Sequence, residues 1–471
     1  MVTDPLPRII QGGMGVGVSS WRLARAVSQG GGLGVVAGTA LDVVLARRLQ
    51  TGDPCGSVRR ALAALPLPGA AARILDRWFV PGGKPPTAAF APTPMPTVEM
   101  TRDALELIVA GNFVEVFLAK EGHAGPVGIN YLEKIQMPTL PSLHGALLAD
   151  VDAVLVGAGI PVGIPDVLDR LARAEPARLR IDVAGAAGGE AVHQVFDPRA
   201  LDPHALPRRR PRFLAIVSSA TVARTLVRRA GDGIDGFVVE HHVAGGHNAP
   251  PRRAGRSEGG ARGFGPADEP DLEVFRGLGV PFWLAGAEAT PDALRGATAL
   301  GAHGVQVGSA FALCDESGML PEIRREIIAR HDAGTLTVRT DFTASPTGYP
   351  FKLVELPGTT ADEGVRAARR RVCDLGYLRE VYAREDGVLG YRCPGEPQAA
   401  FAQKGGDVAA CEGKNCLCNG LLGTIGLQQV RAGRREPPTV TLGADLGFLD
   451  HIPRGPGGAY AARDVLSYLR G

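Results

Sequence analysis

The run Glu240-His-His-Val-Ala-Gly-Gly-His-Asn248 concentrates more usable chemistry than any other stretch of this chain, and it begins where the apolar residues Gly236-Phe-Val-Val239 end. Imidazole takes or gives a proton near neutral pH and stabilises negative charge developing on a neighbouring group. Glycines directly before a histidine let the backbone pass close under a planar ring. His247 is therefore the leading candidate for a catalytic group, against the alternative of a structural histidine bonded to a loop carbonyl. His241 and His242 alternate in direction if the strand persists, so at most one faces the site, in a structural or substrate-shaping role. Clustered histidines also raise metal binding, but no carboxylate accompanies them at helix spacing, and no metal is assigned there.

Such a group needs an element to present it and a ligand held beside it. Phe282-Trp-Leu-Ala-Gly-Ala287 and, one helix-length later, Ala302-His-Gly-Val-Gln-Val-Gly-Ser309 are short apolar runs closed by glycine and a small residue. Each reads as a buried parallel strand ending in a turn with bare amides, which bind phosphate without a charged side chain. In a (β/α)8 barrel that site follows strands seven and eight. Earlier strands are expected over 8–14, 33–38, 125–131, 153–159, 213–219 and 236–240, with Ser19 and Ser20 capping a helix to Val27 and Thr101 capping another. The fold class is thus α/β, a TIM barrel over residues 1–320 with insertions at about 51–98 and 180–210. An appended α-rich segment follows over 321–471, with charged helices at 322–333 and 361–382. A doubly wound sheet wants Gly-x-Gly-x-x-Gly near the N-terminus, and Gly12, Gly13, Gly15 and Gly17 miss that spacing.

Composition narrows the setting. Lys+Arg 51 against Asp+Glu 49 gives a net charge of +2, which offers no general field for nucleic acid or an anionic membrane. Pro207-Arg-Arg-Arg-Pro-Arg212 reads as a solvated loop. The absence of a signal peptide or spanning run points to a cytoplasmic protein. Seven cysteines, an odd number, argue against a disulfide framework. Cys411-x4-Cys416-x-Cys418, with Cys393 and Cys373 upstream, offers thiolates for zinc or an iron–sulfur cluster, but Cys-x-Cys is not the Cys-x2-Cys knuckle, and free, partly buried thiols are expected instead.

Ile10-Gln-Gly-Gly-Met14, Gly128-Ile-Asn130, Ala244-Gly-Gly-His247, Ala285-Gly286 and Gly304-Val-Gln-Val-Gly-Ser309, taken in order, resemble the nitronate monooxygenase family, formerly called 2-nitropropane dioxygenases, over about residues 8 to 315. The resemblance implies a TIM barrel with non-covalent FMN at its C-terminal mouth. Gly12, Gly13 and Met14 then line the isoalloxazine, Asn130 bonds it, and Gly245 and Gly246 pass beside it. Gly286, Ala287, Gln306, Val307, Gly308 and Ser309 hold the phosphate end, and His247 is the active-site histidine. The implied reaction oxidises an alkyl nitronate with O2 to a carbonyl compound and nitrite, in a protein whose exposed barrel faces suit a homodimer.

Flavin-dependent enoyl-thioester reductases, which use NAD(P)H, share the scaffold. There Arg252, Arg253, Arg256 and Arg262 would meet a nucleotide or carrier phosphate, and otherwise they are solvated loop residues. A third reading is a flavin- or metal-binding accessory subunit. Three positions depart from the family pattern. Glu240 replaces a glutamine that meets the flavin and is expected to be paired with a cation or protonated. Ala287 replaces a glycine and offers its N–H if φ is negative. Val243 stands where the family often has glutamate.

Overall fold

The computed structural model describes residues 5–185, 191–252 and 263–471. Eight parallel strands close into a barrel in chain order: β1 Ile9–Gln11, β2 Leu33–Ala37, β3 Val127–Leu132, β4 Ala153–Gly157, β5 Arg212–Val217, β6 Gly236–Glu240, β7 Phe282–Ala285 and β8 Gly304–Val307. Closure is made by Ile9 to Gln11 of β1 in register with Val305 to Val307 of β8. These runs are apolar on both faces because helices cover the outside and side chains fill the inside. Ile10, Leu33, Val35, Leu155, Leu214 and Val238 pack as the interior. Trp283 plugs the N-terminal end, its indole N–H donating to the Pro7 carbonyl at 3.0 Å.

The barrel is the expected one, and its caps differ in detail. Thr101 caps the helix Arg102–Lys120, accepting from the Ala104 N–H. Ser20 sits at the N-cap of the helix Trp21–Gln29 without a capping bond from its side chain, whose hydroxyl donates to the Glu316 carbonyl at 3.5 Å. Ser19 instead receives the Met14 N–H at 3.0 Å and the Gln11 side-chain amide at 2.9 Å, so it fixes the turn after β1. The first insertion holds the helices Ser57–Ala63 and Ala70–Trp78, and the second holds the antiparallel pair Ala177–Arg180 and His193–Phe196.

After β8 the chain is mixed rather than α-rich. The helix Pro321–Asp332 forms as expected, but the stretch 361–382 yields only the helix Glu363–Ala368. Arginines at 366, 369 and 370 would crowd one helical surface, and Arg369 and Arg371 have better partners elsewhere. Arg369 pairs with Glu436, and Arg371 donates to the Pro394 carbonyl at 3.1 Å. The remainder forms antiparallel pairs, Val338–Asp341 with Phe351–Val354 and Glu380–Ala383 with Leu389–Arg392. The last helix, Ala462–Arg470, packs against the helices Trp21–Gln29 and Pro291–Ala299 and completes the outer ring. Residues beyond 320 therefore share the main hydrophobic core with the barrel helices. No described helix is long and apolar enough to cross a membrane.

Candidate active site

β6 ends at Glu240, and the chain turns through His241 to Gly246 across the C-terminal mouth. Gly246 has φ of 78°, a conformation glycine adopts without cost. Its N–H donates to Thr441 Oγ1 at 2.9 Å and its carbonyl accepts the Lys352 N–H at 2.9 Å. His247 pairs by backbone with Phe351, and the Asn248 N–H donates to the Pro350 carbonyl at 2.9 Å. The imidazole Nε2 lies 2.7 Å from Ser345 Oγ, and the ring meets Phe351 edge-on at 4.8 Å. His247 opens onto a cavity walled by protein rather than onto bulk water. That desolvation pushes its pKa down to about 4, so the ring is neutral at physiological pH. Ser345, Phe351 and Thr441 went unnoticed in the sequence. Residues 335–358 read as loop in the sequence, and nothing local says that Phe351–Val354 forms a strand docked beside a histidine a hundred residues earlier.

Among the described residues Glu240 has no cation beside it. Burial alone pushes its carboxyl up to about 8, so it is protonated at neutral pH, the second of the two expected states. His241, the next residue, is bonded to Glu269, with Nε2 2.8 Å from Oε1. The alternation expected for His241 and His242 fails because the strand has ended. Their rings lie 4.0 Å apart, both line the cavity, and Phe264 stacks on His242 at 4.5 Å. Glu269 also supplies the carboxylate missing at helix spacing. Ligand atoms of His241, His242 and Glu269 lie within 4.8 Å of one another.

The cavity measures about 430 Å³ and its walls are mainly apolar. Gly13, Asn130, Glu240, Gly245, Gly246 and His247 all line it. A Cβ on Gly13 would come 2.5 Å from Asn130 Cβ, so only glycine lets the turn after β1 lie against that side chain. The Asn130 amide nitrogen donates to the carbonyls of Tyr131 at 3.0 Å and Leu155 at 3.2 Å, which fixes it on the wall. Cys418, Leu417 and Leu378, from the C-terminal segment, form part of the opposite lining.

The other expected cofactor residues, Gly12, Met14, Gly286, Ala287, Gln306, Val307, Gly308 and Ser309, are not among the residues that line this cavity. The Gly12 N–H donates to the Val307 carbonyl at 2.9 Å, and a Cβ on Gly12 would touch the Gln306 side chain at 3.2 Å. Gln306 Oε1 is buried with no hydrogen-bond partner. Gly308 packs against the Met14 sulfur, and Ser309 Oγ accepts the Gly443 N–H at 2.8 Å. Gly286 has φ of 100° and Ala287 has φ of 61°. The expectation of a negative φ at Ala287 is thus corrected. The turn after β7 needs two left-handed residues in succession, and alanine takes the second at a cost of about 1 kcal/mol. Arg252 donates to Asp268 through its N–H at 2.7 Å and to the Ala267 carbonyl through Nη1 at 2.9 Å, whereas Arg253, Arg256 and Arg262 lie outside the described residues.

No protein-family model matches the chain. A stretch of 122 residues, 26% of this chain, is 30% identical to a probable nitronate monooxygenase of Bacillus subtilis (strain 168) and covers 33% of that protein. The chain thus spans about a third of the length of the curated relative it matches. A nitroalkane oxidase from Streptomyces ansochromogenes superposes with a TM-score of 0.48 at 16% identity, covering 99% of this chain and 94% of that one. FabK from Thermotoga maritima superposes with a TM-score of 0.46 at 16% identity, covering 98% and 91%. In sequence this chain is thus similar, over those 122 residues, to a protein named as a probable nitronate monooxygenase, and its fold is a closed (β/α)8 barrel.

Proposed function

We propose that the protein is an FMN-dependent oxidoreductase of nitronate monooxygenase type, converting an alkyl nitronate and O2 to a carbonyl compound and nitrite. The observation that carries this reading is a neutral histidine, His247, held on the wall of an apolar cavity at the C-terminal mouth of the barrel. The residues present fit the cofactor. The cavity has the size and apolar lining of a small-ligand site. Gly13 leaves a cradle that a Cβ would fill, and Gln306 Oε1 is a buried acceptor without a donor. The turns holding Gly286, Ala287, Gly308 and Ser309 would take the phosphate. FMN, when bound, supplies the electron acceptor.

The chain's own residues bind and orient the reacting anion. Neutral His247 keeps one ring N–H as a donor and is held at Nε2 by Ser345, so it can position the nitronate anion. Protonated Glu240 carries one O–H donor and an acceptor oxygen, the functional set of a glutamine amide. That equivalence explains how a glutamate fills a glutamine position. The apolar walls exclude water from the reacting anion.

Anaerobic mixing tests the reading. Purified protein should be yellow and be bleached by an alkyl nitronate but not by NAD(P)H. A colourless preparation that does not bind FMN removes the cofactor, and bleaching by NAD(P)H alone makes the protein a reductase of the enoyl-thioester kind.

A further inference from the structure

The hydrogen bond from His247 leads beyond Ser345. The loop between the strands Val338–Asp341 and Phe351–Val354 carries a second hydroxyl, and Ser345 Oγ lies 2.8 Å from Thr347 Oγ1. Two peptide groups complete the chain. The Thr347 N–H donates to Ser345 Oγ at 3.2 Å, and the Tyr349 N–H donates to Thr347 Oγ1 at 3.4 Å. Ser345 is buried completely and Thr347, at the outer end, only in part. The C-terminal segment anchors the loop. The Lys414 ammonium donates to the Ser345 carbonyl at 3.0 Å, and the Asn415 N–H donates to the Ala344 carbonyl at 2.9 Å.

A hydroxyl gives one proton and takes at most two, and that count sets the direction of the chain. Were Ser345 to donate to Thr347, the Thr347 oxygen would take two protons and leave its own to solvent, with no acceptor among the described residues. When Thr347 donates to Ser345, every proton has a place in the protein. The serine oxygen then takes the Thr347 hydroxyl and N–H, and its own proton goes to His247 Nε2, 2.7 Å away. A neutral imidazole whose Nε2 is an acceptor carries its proton on Nδ1. Nδ1 has no partner among the described residues, and the ring lines the cavity.

We propose that Thr347 is a positioning residue for this site, which acts through Ser345 to hold His247 in the tautomer that presents Nδ1–H to an anionic oxygen in the cavity. Only the identity of that anion, a nitronate, rests on the function proposed above; the tautomer is set by the protein. Donors run one way, from Thr347 to Ser345 to His247 to the ligand, so each bond polarises the next. Without the outer hydroxyl the serine proton can turn away, Nε2 can keep the ring proton, and a bare Nδ1 lone pair faces the anion. Recognition comes from a directed N–H rather than a positive charge, because the buried ring is neutral.

Nitrogen-15 NMR of the full chain labelled at histidine measures the tautomer directly, with the His247 signals identified by their loss in His247→Gln. The unaltered chain should show a protonated Nδ1 and a bare Nε2. Thr347→Val keeps the shape, removes the hydroxyl and should move the ring toward the Nε2–H form. Nitrite, a small oxyanion that needs no turnover, is the binding probe, followed by the shift of the same signals. Thr347→Val should weaken it by about tenfold, the worth of one hydrogen bond to a charged group, and Thr347→Ser should restore it. With an alkyl nitronate, Thr347→Val should raise KM more than it lowers kcat at constant flavin content. An Nε2–H tautomer in the unaltered chain, a tautomer that Thr347→Val leaves unchanged, or nitrite that does not reach the His247 signals overturns the proposal. Should Thr347→Val fail to fold, the tautomer of the unaltered chain and its response to nitrite decide. A chain that binds nitrite at Nδ1–H but oxidises no nitronate sinks the proposed function and leaves the role of Thr347 intact.

Discussion

His247 and Glu240 are both neutral near pH 7 for the same reason, burial, and they respond to pH in opposite directions. An unfolded histidine takes a proton near 6.5, whereas His247 refuses one until about 4. Its contribution to stability is therefore present above 6.5 and lost as pH falls toward 4. Glu240 in the folded state keeps its proton up to about 8, while the unfolded carboxyl loses it near 4.5. The folded protein then binds more protons between these values, and stability falls as pH rises from 4.5 to 8. Glu240→Gln should remove that decline and keep FMN bound. Melting temperatures at pH 6 and pH 9 check it, and a variant that melts no higher than the native chain at pH 9 would sink the assignment. His247→Ala should lower kcat/KM by about 10² to 10⁴ while flavin content stays constant. Ser345→Ala removes the partner of Nε2 and should cost about 1 kcal/mol of stability, with a change in the pH profile of kcat/KM that a purely packing role would not produce.

The turns after the strands decide where backbone amides point. At Gly286 a Cβ would lie 3.0 Å from His241 Cβ at a φ of 100°, so Gly286→Ala should be strongly destabilising. Ala287, at a φ of 61°, is the reverse case. Ala287→Gly relieves a left-handed alanine and should stabilise the protein by about 0.5 to 1 kcal/mol. Chemical denaturation measures both, and a loss of stability in Ala287→Gly would show that the alanine methyl has a packing role. The turn after β1 is built differently, with Gln11 and Ser19 bonded to each other and to the Gly12 carbonyl. Those residues hold Gly13 against Asn130, which is why the glycine pattern could be read locally while Ser19 was mistaken for a helix cap.

Across the whole molecule, the segment after β8 finishes what the barrel begins. The strand Phe351–Val354 clamps the His247 loop, Gly443 bonds Ser309, and the helix Ala462–Arg470 covers the gap between the first helix and the one before β8. Leu466 packs so close to Gly30 that a Cβ there would meet it at 2.4 Å. A chain ending at residue 332 should therefore lack cooperative melting and bind a hydrophobic dye, with Leu23 and Val27 no longer covered. Cooperative unfolding of that truncated chain, followed by circular dichroism, would show that the barrel stands alone.

The sequence by itself determined the barrel, because eight apolar runs closed by small residues can be buried on both faces only in a parallel closed sheet. It also placed His247, Asn130 and Gly13 at strand ends, where period and glycine spacing are local signals. Tertiary structure decided what those signals cannot carry. The protonation of Glu240 depends on water excluded by elements far along the chain, the left-handed φ of Ala287 depends on the fit of the turn beneath His241, and the helix expected over 361–382 stops early where Arg369 finds Glu436 and Arg371 finds the Pro394 carbonyl. The meeting of His247 with Ser345 and Thr347 depends on long-range packing of the same kind, since Ser345 lies 98 residues further along the chain and only the fold brings its loop to the ring.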